Sequence, residues 1–365
     1  MNQAQPTAGR GAAGWSVPSP QRVLVAMSGG VDSSVAAALL VAAGHDVVGV
    51  TLKLWGGPAD QGCCSVADVD DARRVADRLG IEHHVFNFSD DFHAAVVEPY
   101  VAAHARAETP NPCVECNRHL KFDRLAERAW ALGFDAIATG HHARVEATPS
   151  GRWALKRGAD RAKDQSYVLH MLDQAVLARL LLPVGASTKD EVRAQARRFG
   201  LRTAAKADSQ DVCFIGRAEG RAAFLGSRLA LTPARVVDAE GHRLGRVPSV
   251  QLVTIGQRRG LGSLGGHEPR YVLDVRLEPG EAEATVTVGP ADQLRRAELE
   301  LRDLTWTGAE RDGDVLAQVS AHGPALAARL SGTRLVWSEP QRRVAPGQSV
   351  ALYDGDEVLG GGIAR

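Results

Sequence analysis

The chain has 365 residues, of which 44% are hydrophobic and 24% are charged, proportions typical of soluble globular proteins. Its 43 Lys and Arg residues balance 43 Asp and Glu residues, which argues against attraction to nucleic acid through the net charge of the whole molecule. At roughly 150 residues per domain, the length predicts two or three domains. No run approaches the ~18 apolar residues of a membrane span, so no membrane partner is expected. Five cysteines, an odd number in a long chain, disfavour a secreted disulfide framework and predict a cytoplasmic protein.

The first part of the chain alternates strand and helix patterns. Residues 1–20 are rich in Gly, Pro, Ala and Ser and lack the apolar core of a signal peptide, so we expect a disordered tail. The predicted strands are residues 23–27, 46–54, 83–88 and 135–140, and the predicted helices are 31–44, 66–80, 90–105 and 120–132. This alternation predicts a doubly wound α/β domain over residues 21–215, with a parallel sheet and helices on both faces.

The second part changes texture. The spacing of apolar residues predicts one helix over 165–181 and another over 188–199 that ends at Gly200. From residue 232 onward, short Val and Leu runs broken by Gly, Pro and Asp predict antiparallel strands, and residues 345–362 predict a hairpin that turns at Asp354 and Gly355. We therefore expect two smaller β-rich domains, at residues 216–290 and 291–365.

The strongest motif is SGGVDSS at residues 28–34, which follows the first predicted strand and opens the first helix. Its two glycines permit close approach of a phosphate, toward which consecutive N–H groups and the positive end of the helix dipole point. Asp32 is a candidate Mg²⁺ ligand. A helix capped by serine without a ligand is the structural alternative. Because no Gly-Lys-Ser/Thr follows, the motif is not the loop of enzymes that transfer the γ-phosphate; it is similar to the PP-loop of ATP pyrophosphatases.

The cysteines allow three interpretations. Cys113 and Cys116 follow two prolines, on a loop or at a helix N-terminus where the pKa of a thiol is lowered, and Cys213 lies 97 residues further on (213 − 116). A zinc site would need a second pair of ligands. Buried, inert thiols are the usual alternative. Sulfur-transfer or redox chemistry needs two thiols that can meet. We expect Cys63 and Cys64 to be structural.

Taken together, the motifs resemble those of tRNA-specific 2-thiouridylases, enzymes that place sulfur on the wobble uridine of tRNA. The resemblance covers nearly the whole chain after the tail. Its motifs are SGGVDSS (28–34), CCS (63–65), TPNPCVECN (109–117), ATGHHARV (138–145), KDQSYVL (163–169), SQDVCFIG (209–216), TIGQRRGLG (254–262) and APGQSVALYDGDEVLGGG (345–362). It implies a catalytic PP-loop domain of the adenine nucleotide α-hydrolase-like class, a small β-rich central domain and a barrel-like C-terminal domain.

The resemblance also implies site residues and partners. The implied ATP contacts are Ala26, Met27, Ser28, Gly29, Gly30, Val31, Asp32, Ser33, Leu52 and Gly140. The implied tRNA contacts are Asn111, Pro112, Cys113, His141, Lys163, Asp164, Gln165 and Gln348. ATP, with Mg²⁺, would convert the uracil carbonyl of uridine 34 into an adenylate. Cys213 would carry a persulfide supplied by a sulfur-relay protein, and Cys116 would release its sulfur, leaving a Cys116–Cys213 disulfide. A monomer without a metal site of its own is expected.

Two positions depart from the family pattern. Many members carry Asp where this chain has Cys113, which creates a local CxxC sequence that could trap a Cys113–Cys116 disulfide. An Arg-Tyr pair expected in the C-terminal domain is replaced near residues 320–321, and Arg342 and Arg343 are candidates for the missing tRNA contact. Two other functions stay open: a PP-loop ligase of amidation type, which needs no cysteine pair, and a catalytically silent tRNA-binding protein.

Overall fold

The structure is a computed structural model that describes residues 9–10, 16–17, 20–55, 65–207, 212–215, 220–262, 268–277 and 282–365. Cys63 and Cys64 lie outside these ranges, so the expectation that they are structural stays a prediction. Within the predicted tail, two short strands, β1 (Gly9–Arg10) and β2 (Ser16–Val17), pair antiparallel.

A five-stranded parallel sheet forms the centre of the first domain. Its strands are β3 (Arg22–Ala26), β4 (Asp46–Lys53), β5 (His83–Asn87), β6 (Ala136–Ala138) and β9 (Leu180–Leu181), in the order β5-β4-β3-β6-β9. Along β3, Leu24 packs into one hydrophobic cluster and its neighbours Val23 and Val25 pack into another. Because successive side chains of a strand point to opposite faces, both faces of the sheet are buried. The doubly wound α/β fold is confirmed.

The helices cover both faces of this sheet and connect its strands. The α-helices are α1 (Val31–Ala42), α2 (Val66–Leu79), α3 (Ser89–Phe92), α4 (Glu98–Ala105), α5 (Pro112–Glu115), α6 (Leu125–Ala131), α7 (Gln174–Leu177), α8 (Lys189–Arg198) and α9 (Gly220–Gly226). Two π-helical segments, His93–Val97 and Cys116–Arg124, join α3 to α4 and α5 to α6. Each pair therefore runs as one continuous helix. None of the helices in the described ranges has both the length and the apolar character needed to cross a membrane.

The single helix predicted over residues 165–181 is wrong. The segment divides into a 3-10 turn (Ser166–Leu169), α7 and the strand β9, which pairs in parallel with β6. Asp173 begins α7 by accepting a hydrogen bond from the Val176 amide. An apolar run does not by itself distinguish a buried helix from a buried strand, and only the pairing with β6 settles the matter here.

The central domain is a small four-stranded sheet, as its Val-rich runs predict. Its strands are β10 (Ala234–Val237), β11 (Arg243–Val247), β12 (Tyr271–Arg276) and β13 (Ala284–Gly289), in the order β11-β10-β13-β12. Val236, Val272 and Val286 are completely buried in its core.

The C-terminal strands form a barrel. They are β14 (Arg295–Trp306), β15 (Gly313–Gln318), β16 (Leu326–Ser331), β17 (Arg334–Arg342), β18 (Ser349–Asp354) and β19 (Glu357–Ala364). Because β14 pairs with both β17 and β19, the six strands close on themselves. The predicted hairpin is confirmed, but its turn lies one residue later than predicted: Asp354 pairs with Glu357, so Gly355 and Asp356 are the turn residues.

A hairpin from the first domain extends this sheet, and the sequence analysis missed it. Its strands are β7 (Ala143–Ala147) and β8 (Trp153–Arg157), and Lys156 of β8 pairs with Glu357 of β19. Arg152 and Glu357 form an ion pair at the same edge. Because β7 directly follows His141 and His142, the barrel joins the first domain next to the carboxyl end of β6.

Candidate functional site

The phosphate-loop motif lies at the point where the strand order of the parallel sheet reverses. From β3 the chain passes to β4 and β5 on one side of the sheet, and then to β6 on the other. Ligands of doubly wound sheets bind at this point, outside the carboxyl ends of the strands. Gly140, just after β6, approaches the start of α1 so closely that a Cβ atom there would lie 2.5 Å from the Ser33 amide nitrogen.

Serine hydroxyls hold the loop in shape. The Ser28 amide donates to Ser33 Oγ at 3.1 Å, and the Ser33 and Ser34 hydroxyls donate to the Gly30 carbonyl at 3.2 and 2.7 Å. These bonds tie the two ends of the loop together before any ligand binds. The loop is therefore preorganised.

Glycine is required at one position of the loop. Gly29 has φ = +70°, and a Cβ atom there would lie 2.3 Å from the Asp68 carbonyl oxygen at the start of α2. The next residue, Gly30, is the N-cap of α1 and has no side chain with which to cap the first N–H groups of the helix. Those N–H groups are suited to an anion.

Several other predicted ATP contacts lie in the loop or on the strands beside it. Met27, Val31 and Leu52 are buried in the hydrophobic clusters of the sheet, and Ala26 is half-buried at the end of β3. The Met27 carbonyl accepts a 2.7 Å hydrogen bond from the Thr51 hydroxyl. These residues fix the flanks of the loop by packing, and their contact with ATP stays a prediction.

Asp32 faces two basic side chains at the start of α1. The Lys189 ammonium group donates to both of its carboxylate oxygens, at 2.8 and 2.7 Å, and His142 Nε2 lies 3.2 Å from one of them. Burial on its own raises the pKa of Asp32, but the hydrogen bonds from His142 and Lys189 outweigh it and bring that pKa below its usual value. The Asp32 carboxylate is therefore ionised and compensated.

The role of Mg²⁺ ligand predicted for Asp32 stays a prediction. Both carboxylate oxygens accept hydrogen bonds from Lys189, so a metal ion at Asp32 would share the carboxylate with the ammonium group or displace it. Sequence reasoning missed Lys189 because it lies 157 residues from Asp32 and stands in an ordinary helix start. The structure shows a capping box of Thr188 and Glu191 there, a feature that belongs to a helix start rather than to a site.

Cys113 and Cys116 stand in the first turn of a helix, which decides between the two placements that the sequence left open. Pro112 is the first helical residue, and the Asn111 side chain accepts from the Cys113 and Val114 amides at 3.1 and 3.4 Å. Cys113 is exposed, whereas Cys116 is only 8% exposed and begins the π-helical segment Cys116–Arg124. The two thiols of the CxxC sequence therefore differ sharply in accessibility.

Cys213 is attached to the same hydrophobic core through its neighbour Phe214. The Phe214 ring lies 5.6, 5.4 and 5.2 Å from the rings of Phe92, Tyr100 and Phe224. Phe92 leads into the π-helical segment His93–Val97, which packs against α5. Cys116 and the partly exposed Cys213 thus border one hydrophobic cluster, although they are far apart in sequence.

Two adjacent histidines connect the thiol-bearing helix to the phosphate loop. The buried His141 ring lies 5.9 Å from the Phe122 ring of that helix, and its Nδ1 atom lies 2.7 Å from the Thr139 hydroxyl. Burial first, and then nearby Lys121, hold the pKa of His141 well below its usual value, so its imidazole is neutral. His142 contacts Asp32 of the loop.

The segment before the thiol-bearing helix contacts all three domains. The Thr109 amide donates to the Pro346 carbonyl of the barrel at 2.7 Å, and the Thr109 hydroxyl lies 3.4 Å from that of Thr254 in the central domain. The Tyr167 hydroxyl donates to the Ser349 carbonyl at 2.8 Å. Four motifs that are distant in sequence, at residues 109–117, 163–169, 254–262 and 345–362, are therefore adjacent.

The predicted tRNA contacts near this junction differ in exposure. Lys163 and Gln165 are exposed, Gln348 is half-buried and Pro112 is buried. The Asp164 carboxylate faces inward and accepts from the Arg157 guanidinium at 2.9 Å and from the Gly158 amide at 3.0 Å. The structure therefore gives Asp164 an internal role in holding the segment.

The arginines near this junction also differ in exposure. Arg343 donates to the Leu273 carbonyl at 2.8 Å and to Asp274 at 3.0 Å, so it joins the barrel to the central domain. Arg258 and Arg259 are exposed on the segment that follows Thr254. They are better placed than Arg343 to meet a phosphate backbone.

A parallel α/β sheet with a preorganised anion loop at its switch point, followed by two β domains, defines the class of PP-loop nucleotide-binding proteins. Family models match three consecutive parts of the chain: a tRNA methyl transferase HUP domain (21–217), a tRNA methyl transferase PRC-barrel domain (222–290) and an Aminomethyltransferase beta-barrel domain (296–364). The tRNA-specific 2-thiouridylase MnmA of Chloroflexus aurantiacus is 48% identical over 357 residues, which cover 94% of this chain and 98% of that protein. The chain belongs to the tRNA-specific 2-thiouridylase family.

Two further comparisons are with another relative and with a solved structure. The tRNA-specific 2-thiouridylase MnmA of Mycolicibacterium smegmatis is 48% identical over 93% of this chain and 98% of that protein. The solved structure of the U34-tRNA thiolase NcsA from Methanococcus maripaludis, with its 4Fe–4S cluster, is 17% identical with a TM-score of 0.37, over 58% of this chain and 65% of that chain.

Proposed function

We propose that this chain catalyses the ATP-dependent 2-thiolation of the wobble uridine, position 34, of tRNA. As a member of its family it is a tRNA-uridine 2-sulfurtransferase. The observation that carries the proposal is the pair His141 and His142, which contacts the thiol-bearing helix on one side and the phosphate loop on the other. An activated carbonyl and a sulfur carrier can meet only if these two elements adjoin.

The nucleotide step uses the loop at residues 28–34. The phosphates of ATP lie against the first N–H groups of α1, with Gly29 and Gly30 allowing the close approach. The uracil O2 atom attacks the α-phosphorus, a new O–P bond forms and pyrophosphate leaves. AMP is then attached to the oxygen on C2 and becomes the leaving group. Mg²⁺ bound with the ATP phosphates would neutralise part of their charge.

The sulfur step uses the two thiols. Cys213 receives one sulfur atom from a sulfur-relay protein and becomes a persulfide. The terminal sulfur, or sulfide released from it, bonds to the activated C2 atom as the C2–O bond to AMP breaks. The Cys116 thiolate attacks Cys213, which frees the terminal sulfur and leaves a Cys116–Cys213 disulfide that a reductant reopens. The enzyme acts as a monomer in this scheme.

A reconstituted reaction tests this function. Purified protein, a tRNA transcript, ATP and a persulfide donor should give tRNA that is retarded in a mercury-containing gel, together with AMP and pyrophosphate. Cys213→Ser should lose thiolation but keep tRNA-dependent release of pyrophosphate, because adenylation precedes sulfur transfer. Unchanged thiolation in Cys213→Ser would rule out the persulfide role.

Two outcomes would instead support the other functions. If the unaltered protein releases pyrophosphate without thiolating tRNA, and both Cys116→Ser and Cys213→Ser release pyrophosphate at the same rate, an amidation-type ligase is favoured. If the unaltered protein binds tRNA without releasing pyrophosphate, it is a silent tRNA-binding protein.

A further inference from the structure

We propose that Lys206, held between Asp68 and Asp71, is a positioning residue for the sulfur step: it fixes the start of the segment that leads to Cys213 beside the phosphate loop. The inference rests on the proposed function, because it takes Cys213 as the sulfur carrier. It adds to that function a residue that acts through the segment it anchors rather than on the reacting atoms.

The Lys206 side chain joins two carboxylates of α2. Its ammonium group donates to Asp68 Oδ1 and to Asp71 Oδ2, both at 2.7 Å. Burial on its own lowers the pKa of Lys206, but the hydrogen bonds to the two carboxylates outweigh it and hold that pKa above its usual value. The lysine is therefore charged, and a cation shared by two carboxylates is held more firmly than one in an isolated exposed pair. We call these three side chains the Lys206 clamp.

The backbone around Lys206 is held separately by α8. The Arg193 guanidinium donates to the carbonyls of Ala204 and Lys206 at 2.9 and 3.1 Å. The preceding 3-10 turn, Arg202–Ala205, packs against α1, α2 and α8. Lys206 therefore stands at the end of a fixed segment, and its side chain links that segment to the start of α2.

The helix that carries the two carboxylates adjoins the phosphate loop. The Asp68 carbonyl oxygen would lie 2.3 Å from a Cβ atom on Gly29, so the two backbones are in close contact. The Ser65 hydroxyl donates to Asp68 Oδ2 at 2.7 Å, which fixes the carboxylate in the first turn of α2. Asp68 thus contacts the loop through its backbone and Lys206 through its side chain.

The clamp also limits where Cys213 can lie. Cys213 follows Lys206 by seven positions (213 − 206), which at about 3.5 Å per residue keeps the two within roughly 25 Å of each other. Ala204 packs against the hydrophobic cluster on one face of the sheet, and Phe214 lies in the cluster on the other face. The Phe214 ring lies 6.2 Å from that of Trp55, just after β4. Both ends of the connection therefore lie near the carboxyl edge of the sheet, where the phosphate loop is.

Two assays on the full chain separate the sulfur step from the nucleotide step. At saturating ATP and tRNA, Lys206→Gln should lower the rate of thiolation about tenfold, because misplacement of a reacting group by about 1 Å has effects of this size or larger. The burst of pyrophosphate release in the first turnover should be unchanged, since the backbone contact of Asp68 with the loop remains. Lys206→Arg, which keeps the charge and two donors, should restore most of the thiolation.

A third measurement needs neither tRNA nor ATP. With diamide as the oxidant, Lys206→Gln should form the Cys116–Cys213 disulfide about tenfold more slowly than the unaltered chain, as followed in peptide mass spectra. Lys156→Gln is the matched control. It removes a lysine that is 32% exposed, as Lys206 is, and that pairs with Glu146 at 2.6 Å in the β7–β8 hairpin. It should change neither thiolation nor disulfide formation.

Three outcomes would overturn the inference. Equal losses of the pyrophosphate burst and of thiolation in Lys206→Gln would show that Lys206 supports the phosphate loop instead. A normal rate of disulfide formation in Lys206→Gln would show that the clamp does not place Cys213. The triple variant Lys206→Gln/Asp68→Asn/Asp71→Asn removes the clamp without leaving unpaired carboxylates, and it should also thiolate slowly. A normal rate in the triple variant would show that the lysine only neutralises the two acids.

The disulfide measurement also separates this inference from the proposed function. If the unaltered chain does not thiolate tRNA, but the disulfide still forms more slowly in Lys206→Gln, the proposed function fails and the positioning role of Lys206 stands. If thiolation proceeds in the unaltered chain and at the same rate in Lys206→Gln, the proposed function stands and this inference fails.

Discussion

The Thr109 amide donates a 2.7 Å hydrogen bond to the carbonyl of Pro346, which lies 237 residues later in the chain (346 − 109). Thr109 precedes the helix that carries Cys113 and Cys116, and Pro346 belongs to a loop of the barrel. This hydrogen bond ties the barrel loop to the segment that leads into the thiol-bearing helix. Gly347 makes the approach possible, since a Cβ atom there would lie 3.1 Å from the Thr109 nitrogen.

Loss of one hydroxyl at this junction should affect tRNA more than ATP. Tyr167→Phe removes the 2.8 Å hydrogen bond to the Ser349 carbonyl and leaves that buried acceptor without its donor, at a cost of about 1 kcal/mol. We expect a higher KM for tRNA and an unchanged KM for ATP in steady-state thiolation kinetics. Tyr271→Phe, in the central domain, is the matched control. An equal rise in the KM for tRNA and the KM for ATP would show that Tyr167 does not act on tRNA binding in particular.

Two alanine substitutions separate backbone strain from collision at the loop. Gly29 and Gly44 both have positive φ, +70° and +82°, so alanine costs each about 1 kcal/mol. Only at Gly29 does the added Cβ collide with backbone, 2.3 Å from the Asp68 carbonyl oxygen, whereas at Gly44 nothing lies within 4 Å. Gly29→Ala should lose ATP binding by at least about tenfold, and Gly44→Ala should lose only stability. Calorimetric titration with ATP measures the affinity of each variant, and a thermal melt measures its stability. Normal ATP affinity in Gly29→Ala would contradict this prediction.

Buried His170 should make the protein less stable as the pH falls. Burial first, and then nearby Arg118, lower the pKa of His170 to about 3, compared with 6.5 for a free imidazole. Below pH 6.5 His170 binds a proton in the unfolded chain but not in the folded chain. The free energy of unfolding therefore decreases until the pH reaches the pKa of His170 in the folded chain. Between pH 7 and pH 5 this group accounts for a loss of about 2 kcal/mol.

The variant His170→Gln isolates that contribution. At pH 8, His170 is neutral in both the folded and the unfolded chain. Urea unfolding at that pH therefore gives the reference difference in unfolding free energy between the two proteins. On lowering the pH to 5, the variant should lose about 2 kcal/mol less than the unaltered chain. Parallel loss in the two proteins would show that His170 becomes charged in the folded state.

The CxxC sequence should trap a local disulfide when Cys213 is absent. Cys113 and Cys116 are three positions apart on one helical turn, with two residues between them, so their side chains share a face, and Cys113 is exposed to oxidants. Mild oxidation of Cys213→Ser should give a Cys113–Cys116 disulfide in peptide mass spectra. In the unaltered chain, oxidation should also give Cys116–Cys213. Absence of the local disulfide from Cys213→Ser would show that the helix holds the two thiols apart.

Salt should weaken tRNA binding modestly. With a net formal charge of zero, few phosphates are neutralised, and a slope of log K against log salt near ten would contradict this. Arg258→Gln and Arg259→Gln should each reduce the slope by about 1, because both side chains are exposed beside the junction. Arg329→Gln, whose guanidinium pairs with Asp314 at 3.0 Å on the barrel, should leave it unchanged.

Local pattern was sufficient where an element carries its own signals. The strand β3, the loop and α1 were all predicted because β-branched residues, two glycines and an Ala- and Leu-rich run follow one another within 25 residues of sequence, 20–44. The hairpin at Gly355 was predicted for the same reason. The helix over 165–181 failed because its apolar run is compatible with a helix and with the strand β9, and only β6 distinguishes them.

The candidate site likewise divides into features that local sequence predicts and features that only the fold reveals. The phosphate loop and the thiols could be predicted from residue types. Glycine beside serine indicates phosphate binding, and a cysteine pair indicates thiol chemistry. Lys189 could not be found, because one lysine in a capped helix is indistinguishable from a surface lysine until the fold places it against Asp32. The tRNA contact expected of Asp164 stays a prediction, and the hydrogen bond from Arg157 to its carboxylate was visible only in the fold.

The amino-acid sequence alone determined the doubly wound sheet, the anion loop and the presence of two distant thiols, because each depends on neighbours within a few residues or on motifs. The tertiary structure alone decided which charges meet at Asp32, how Thr109 joins three domains and where the β7–β8 hairpin attaches. Those contacts depend on which segments the closed barrel and the parallel sheet bring side by side, and that is settled by packing across hundreds of residues rather than by any local preference.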